Sequence, residues 1–378
     1  MKKLISILLC ISLLFCCVIT ARAEEKLLLP TTSAEAYVLY CADNGEIISS
    51  LNENKKMKPA STTKLMTTLI ALEQAASSNK KLAFTNEMIA EGSSMYLKTG
   101  EVVTLKDLAA GMQMASGNDA ANAAAMTISG SKEKFAELMN TYAKRIGMKN
   151  THFVTPSGLD DENHYSTAYD MALLMTYALE NEDFANLTSQ KSATVEFVKP
   201  ASKRTTYSNH NKLLSRYEYC IGGKTGYTMA AGRCLVSAAK KDGLTLVCVT
   251  LNDRNDWDDH IALYNYGFDK YSLYESDESD FYIEVPCVGG NKDTVTLSAN
   301  ESCSFVLNSE HKNIVKRKVY CDSFLYAPIS KNDSYGRIDY ELNGKTVTSV
   351  ELVAVEDINY KKENKNFWEF IKEMFTYG

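Results

Sequence analysis

The 378-residue chain predicts an α+β fold, on three observations. A strand-like hairpin comes first, helical apolar spacing fills the middle, and short alternating runs separated by Gly, Asp and Lys turns come last. That order suits one sheet closed by both ends of the segment, with helices against it. Past the acidic stretch Glu275–Asp280 only strand-like segments follow, which predicts a small all-β C-terminal domain. A short amphipathic helix ends the chain. The expected division is 1–23, 24–275, 276–357 and 358–378, and this length suits two full-sized cores on a prior of roughly 100–200 residues per domain.

The first residues indicate export. Met1-Lys2-Lys3 is positive, Leu4 to Ile19 is apolar, and Ala21-Arg22-Ala23 is a small-x-small cleavage site, which together read as a signal peptide. Net charge is −6 with no basic block, so nucleic acid is not expected as a partner. Cys10, Cys16 and Cys17 fall in the signal segment. Cys41, Cys220, Cys234, Cys248, Cys287, Cys303 and Cys321 remain, an odd number with no C-x-x-C pair, mostly inside apolar strand-like runs. They read as buried small hydrophobes rather than a disulfide framework. With the histidines scattered, neither a metal nor any other cofactor is implied.

Ala36–Tyr40 reads as a strand, Asp43-Asn44-Gly45-Glu46 as a tight turn, and Ile47-Ile48 as the returning strand. Pro59 resists continuation of any earlier helix, and Leu65, Leu69 and Leu72 recur at helical spacing, so a helix is expected to open at about Ser61. Glu101 to about Met148 reads as largely helical, with Leu105, Leu108, Ala109 and Met112 on one face and an Ala-rich run at 120–125. Thr167 with Asp170 resembles a capping box. Strands are then expected at Thr194–Val198, Cys220–Gly223, Cys234–Ala239 and Leu244–Leu251. In the β domain they fall at Tyr282–Val285, Thr294–Leu297, Ser304–Leu307, Ile314–Tyr320, Tyr335–Leu342 and Val347–Val355, with Asn343-Gly344 as a hairpin turn. Phe367, Phe370, Ile371, Met374 and Phe375 form an aromatic helical face. It is too short and charged to span a bilayer but is suited to lie on a membrane surface.

Three short motifs carry chemistry. Ser61 and Lys64 stand at i and i+3, so they meet on one helical face, at a helix start that favours developing negative charge. A serine, a base one turn away and an anion-stabilising backbone are the parts of an acylating nucleophile. Ser116-Gly117-Asn118 lies between two apolar helical stretches and suits a loop aiming two side chains into a cleft. Lys224-Thr225-Gly226 follows Gly222-Gly223 on a strand, where charge plus hydroxyl would bind a carboxylate. Each motif alone is weak. A second Lys-Thr-Gly, Lys98-Thr99-Gly100, precedes the Ser-Gly-Asn beside a turn and is taken as a decoy.

In this order the three motifs resemble those of penicillin-binding proteins and class A β-lactamases. Longer strings, among them Pro59–Thr67, Gly147–Phe153, Gly158-Leu159-Asp160, His164–Met171 and Gly226–Val236, resemble the serine-type D-alanyl-D-alanine carboxypeptidases. These are low-molecular-mass penicillin-binding proteins, and the similarity spans nearly the whole mature chain. Gly117 stands where the general motif has Asp, and Thr155-Pro156-Ser157-Gly158 departs from the family's more usual Asn-Pro-His-Gly. The resemblance implies a β-lactamase/transpeptidase-like catalytic domain. It implies Ser61 as nucleophile, Lys64 as base and Ser116 as proton donor to the leaving amine, with Asn118 orienting substrate or Lys64. It also implies that Lys224 and Thr225 hold the terminal carboxylate, that Gly226 belongs to the substrate-binding strand beside them, and that backbone N–H groups of Ser61 and Tyr227 form the oxyanion hole. A lysine accepts a proton only when neutral, and its free pKa is about 10.4, so burial and the Lys224 cation have to lower it. The implied partners are peptidoglycan stem peptides ending in D-Ala-D-Ala, β-lactams as covalent inhibitors, and the outer face of the cytoplasmic membrane. Two alternatives stay open: a class A-like β-lactamase, for which Glu182 is a poorly spaced candidate at a helix end, and a non-catalytic peptidoglycan-binding scaffold.

Overall fold

A computed structural model describes residues 28–299 and 301–362. The signal-like segment and the terminal aromatic helix lie outside the described residues.

The first unit is built on a five-stranded antiparallel sheet of order β2-β1-β9-β8-β7. Its strands are β1 (Ala36–Cys41), β2 (Ile47–Leu51), β7 (Cys220–Thr228), β8 (Gly232–Lys241) and β9 (Leu244–Leu251). The N-terminal hairpin thus pairs with the last strands of the unit, β1 against β9, as the sequence pattern implied. β9 is buried almost throughout because helices cover both faces. β7 lies at the sheet edge, so the outer row of its backbone groups has no strand partner among the described residues.

Helices α1 (Lys64–Ser77), α2 (Leu105–Met114), α3 (Asn118–Ser129), α4 (Lys132–Ile146), α5 (Ala168–Leu179) and α6 (Glu182–Thr188) form the helical layer. α1 is the central one. Every residue from Leu65 to Leu72 is buried, so it is enclosed on all sides rather than on one apolar stripe. The α-helix proper begins at Lys64. Ser61 belongs to a one-turn 3₁₀ segment, Ala60–Thr63, because Thr62 donates from both its N–H and its hydroxyl to the Pro59 carbonyl. Small strand pairs flank this layer: β3 (Lys81–Ala83) with β4 (Val102–Thr104), and β5 (Ser192–Glu196) with β6 (Arg204–Ser208).

The expected capping box at Thr167 is only half formed. Thr167 Oγ1 accepts from Asp170 N, but the Asp170 carboxylate turns away to accept from Asn150 N and Thr151 Oγ1. A complete box forms at Thr104–Asp107, which caps α2. After a single turn, α7 (Leu213–Arg216), a further helix, α8 (Asp256–Lys270), packs on the outer face of the sheet with Leu263 and Tyr264 fully buried. The expected strand-rich tail did not include it.

β10 (Tyr271–Ser276) pairs with β13 (Cys303–Asn308). A six-stranded sheet of order β14-β16-β17-β12-β11-β15 completes the second unit. Its members are β11 (Tyr282–Val288), β12 (Thr294–Ser298), β14 (Lys316–Cys321), β15 (Leu325–Tyr326), β16 (Ser334–Leu342) and β17 (Lys345–Ala354). Val295, Leu297, Ile338, Tyr340 and Leu352 centre its separate core. Asn343 and Gly344 have φ of 51° and 78°, the pair of positive values a tight two-residue hairpin requires. Cys41, Cys234, Cys248, Cys287 and Cys303 are buried, Cys220 is half-buried and Cys321 is exposed.

Candidate active site

Ser61 is presented by a strained turn. Ala60 before it has φ of 48°, left-handed for a residue with a Cβ, which costs on the order of 1 kcal/mol and directs the serine into a cleft. One turn on, Lys64 Nζ lies 2.9 Å from Ser61 Oγ, 2.6 Å from Asn118 Oδ1 and 2.7 Å from the Ser157 carbonyl oxygen. Two of these partners only accept, and the third is a hydroxyl that can donate. A neutral amine therefore satisfies all three, with its two N–H groups on the carbonyls and its lone pair on the Ser61 hydroxyl.

The surroundings favour that neutral form. Lys64 is fully buried, and burial holds its pKa well below the ordinary lysine value. The Lys224 cation adds to the shift, and Asp119 opposes it. The Asp119 carboxylate is engaged elsewhere. It accepts from Ser94 Oγ, Met95 N, Leu97 N and Ala120 N, and so fastens the loop carrying Ser93 against the start of α3.

Ser116 and Asn118 sit at the turn between α2 and α3. Ser116 has φ of 55°, and its Oγ is 3.0 Å from Lys224 Nζ. Asn118 Nδ2 donates to the Glu91 carbonyl, which fixes the amide so that its oxygen faces Lys64. Lys224 points inward from β7, donates to the Thr225 carbonyl, and is lowered by burial to about 7. Gly222 and Gly223 admit close neighbours. A Cβ on Gly222 would stand 2.3 Å from Thr188 Cγ2, and one on Gly223 2.3 Å from the Val236 carbonyl. Gly226 lets the strand approach the 3₁₀ turn, since a Cβ there would lie 3.1 Å from Ser61 N and 3.0 Å from Thr62 N.

The structure brings Ser61, Lys64, Ser116, Asn118 and Lys224 together with Thr225, Gly226 and Tyr227. The cleft has a volume of about 480 Å³, and its walls include Ser61, Ser93, Ser116, His210, Thr225, Gly226 and Tyr227. Arg233, Asp256 and Trp257 also line it, and Arg233 Nη2 donates to the buried Asp256 carboxylate at 2.5 Å. Burial, and then the nearby Lys224, lower the His210 imidazole from its ordinary value. Lys98-Thr99-Gly100 is exposed and bonded to Glu101 and Asn86, away from these walls. Glu182 begins α6 rather than ending a helix, and it is not among the cleft-lining residues. A larger hollow of about 750 Å³ lies on the second unit, beside Tyr320, Tyr335 and Arg337.

Three contributors were missed from sequence. Ser157 acts through its backbone carbonyl, which leaves no side-chain signal. Asp119 lies one residue past a recognised motif. The Arg233–Asp256 pair joins a strand to a helix that was not expected.

Residues 21–255 match the D-alanyl-D-alanine carboxypeptidase family of serine peptidases (peptidase S11), and residues 268–360 match the C-terminal domain of penicillin-binding protein 5. The chain is 32% identical over 339 residues to the D-alanyl-D-alanine carboxypeptidase DacF of Bacillus subtilis, covering 86% of each chain. It is 31% identical over 372 residues to DacC of Escherichia coli, covering 93% of this chain and 91% of the relative. Among solved structures, penicillin-binding protein 5 of Haemophilus influenzae superposes with a TM-score of 0.68 at 30% identity, covering 88% of this chain and 99% of that one.

Proposed function

The chain belongs to the serine D-alanyl-D-alanine carboxypeptidase family, and on that footing we propose that it removes the terminal D-alanine from peptidoglycan stem peptides through an acyl-enzyme on Ser61. The observation that carries this reading is a fully buried Lys64 amine 2.9 Å from the Ser61 hydroxyl, where burial favours the neutral form that can accept a proton.

In the proposed reaction the substrate lies along the free edge of β7 as an added strand. Its terminal carboxylate is held by the Lys224 ammonium and the Thr225 hydroxyl. Lys64 takes the Ser61 proton as Oγ attacks the penultimate carbonyl carbon, and the N–H groups of Ser61 and Tyr227 receive the oxyanion. The C–N bond breaks as Ser116 gives a proton to the leaving D-alanine amine and takes back the one held by Lys64, which returns the lysine to its neutral form. Asn118 keeps Lys64 aimed throughout. Water, deprotonated by the same amine, then attacks the ester and releases the shortened peptide. β-Lactams acylate Ser61 in the same way, and slow hydrolysis of the penicilloyl-enzyme is what separates this reading from a β-lactamase.

The residue pattern of 1–23 supports export, and that of 358–378 supports peripheral attachment to the outer face of the membrane. The proposed units are a catalytic part at 24–275 and a β part at 276–357, tied by the β10–β13 pairing. Removing Phe367–Gly378 should shift the protein from the membrane to the soluble fraction, and unchanged sedimentation would refute the attachment.

The test of function is release of D-alanine from a peptide ending in two D-alanines, together with labelling by a fluorescent penicillin. Both are expected in the wild type and absent in Ser61→Ala. Rapid penicillin turnover would favour a β-lactamase. No labelling and no D-alanine would favour a scaffold.

A further inference from the structure

His164 plays no part in the chemistry above, yet it is buried directly behind it. It stands just before α5 with 2% of its surface exposed. Its Nδ1 lies 3.0 Å from Val154 N and 3.2 Å from Thr155 N. Both are N–H donors, so Nδ1 must accept. The ring proton is therefore on Nε2, which lies 2.9 Å from Thr63 Oγ1 and donates to it. Backbone geometry alone dictates the tautomer. Protonation would set a third N–H against two others, and burial accordingly pushes the ring down to about 4. Of the charged groups around it, Asp161 and Asp160 pull the other way, while His152 and Lys58 add to the shift.

These bonds join two segments that the reaction needs in register. Thr63 belongs to the 3₁₀ turn between Ser61 and Lys64. Val154 and Thr155 open the loop whose Ser157 carbonyl accepts from Lys64 Nζ. The same loop is tied again where Thr67 Oγ1 donates to the Pro156 carbonyl at 2.6 Å. It also presses close: a Cβ on Gly158 would lie 1.9 Å from the Ala60 carbonyl oxygen and 2.8 Å from Thr63 Oγ1. Loop and turn are thus held by several ties, and the histidine supplies the one that runs through Thr63.

We propose that His164 is a positioning residue for acylation: by bridging Thr63 to Val154 and Thr155 it keeps the Ser157 carbonyl on the Lys64 amine and so keeps the amine lone pair on the Ser61 hydroxyl. This rests on the proposed roles of Ser61 and Lys64. Loss of the tie lets the loop slide by a fraction of an ångström, and misplacements of about 1 Å near reacting groups lower rates by about a hundredfold. Substrate capture is separate, because Lys224 and Thr225 sit on β7, to which His164 makes no hydrogen bond among the described residues.

The experiment compares His164→Phe, His164→Gln and Thr63→Val with the full-length wild type. Each is normalised by the amount of fluorescent penicillin bound at long times, so that misfolded protein does not count. The phenylalanine keeps the ring and loses all three bonds. The glutamine keeps one donor and one acceptor. The valine removes the Thr63 acceptor without changing shape. Penicillin acylation and the kcat for D-alanine release are expected to fall at least tenfold in His164→Phe and Thr63→Val, with KM within about twofold of wild type. His164→Gln should recover most of the rate. Wild-type acylation rates in the normalised Phe and Val variants would overturn the proposal, as would a rise in KM that matches the fall in rate. A wild type that is neither labelled nor active would instead sink the reading of Ser61 and Lys64 itself.

Discussion

Raising the pH should weaken substrate capture before it slows the chemistry, and the reason lies in Lys224. Its ammonium is buried, its partners are the Ser116 hydroxyl at 3.0 Å and the Thr225 carbonyl at 2.8 Å, and burial lowers it to about 7. Among the described residues no carboxylate lies within ion-pair distance of it. A bound peptide would supply one. Two unit charges about 4 Å apart interact by up to about 4 kcal/mol at an effective dielectric of about 20, which amounts to roughly 3 pKa units. The Lys224 proton is thus half lost near pH 7 in the free enzyme and retained to about pH 10 in the complex. The signs follow for each group. Lys224 must be charged to bind, so kcat/KM falls as pH rises through about 7. Lys64 must be neutral to react, so both kcat and kcat/KM fall as pH drops through its lowered value. KM should climb about tenfold per pH unit above 7, for up to about three units, while kcat stays level. Initial rates of D-alanine release between pH 5.5 and 9.5 at constant ionic strength measure this. A KM that stays flat from pH 6 to 9, or an alkaline limb with the same midpoint in kcat, would refute the reasoning.

Other consequences are more local. Gly158→Ala should remove most acylation and destabilise by about 3 kcal/mol, because φ of 81° is strained for alanine and the new Cβ meets the Ala60 carbonyl; a denaturant midpoint and penicillin labelling check both effects. Asp119→Ala leaves the backbone N–H groups of Met95 and Leu97 without their acceptor and should cost about 3 kcal/mol, read by chemical denaturation, with faster proteolysis of the 93–97 loop. The buried, neutral His164 and His260 are lowered to about 4 and about 3 against an unfolded value near 6.5. Between pH 6.5 and 4 the unfolded chain then binds more protons than the folded one, and their stabilisation is lost as pH falls. Unfolding free energy measured at pH 7 and pH 4 should differ by about 5 kcal/mol, more than a protein lacking such histidines would show.

The parts of the fold legible in sequence are those where one local rule acts alone. Leu244–Leu251 is a strand with the expected bounds because both faces are buried, and Asn343-Gly344 turns as expected because both residues tolerate positive φ. α8 was invisible because its Asp- and Asn-rich start resembles a loop and its buried face sets a single aliphatic residue, Leu263, among His260, Tyr264 and Tyr266. At the site, Ser61 and Lys64 are close through helix geometry and were readable. Ser116 and Lys224 meet only because α2 and β7 are brought together across 108 residues. The Ser157 carbonyl and the two faces of His164 are backbone matters that residue types do not announce.

The charge on Lys64 tests the account most directly. Protein labelled with 15N and 13C in its lysine side chains, with Lys64 assigned by loss of its signal in Lys64→Arg, would be titrated by NMR. The account predicts an uncharged Lys64 amine at neutral pH, with a midpoint far below that of surface lysines. An ammonium signal at pH 7 that titrates with the exposed lysines near 10.4 would contradict it.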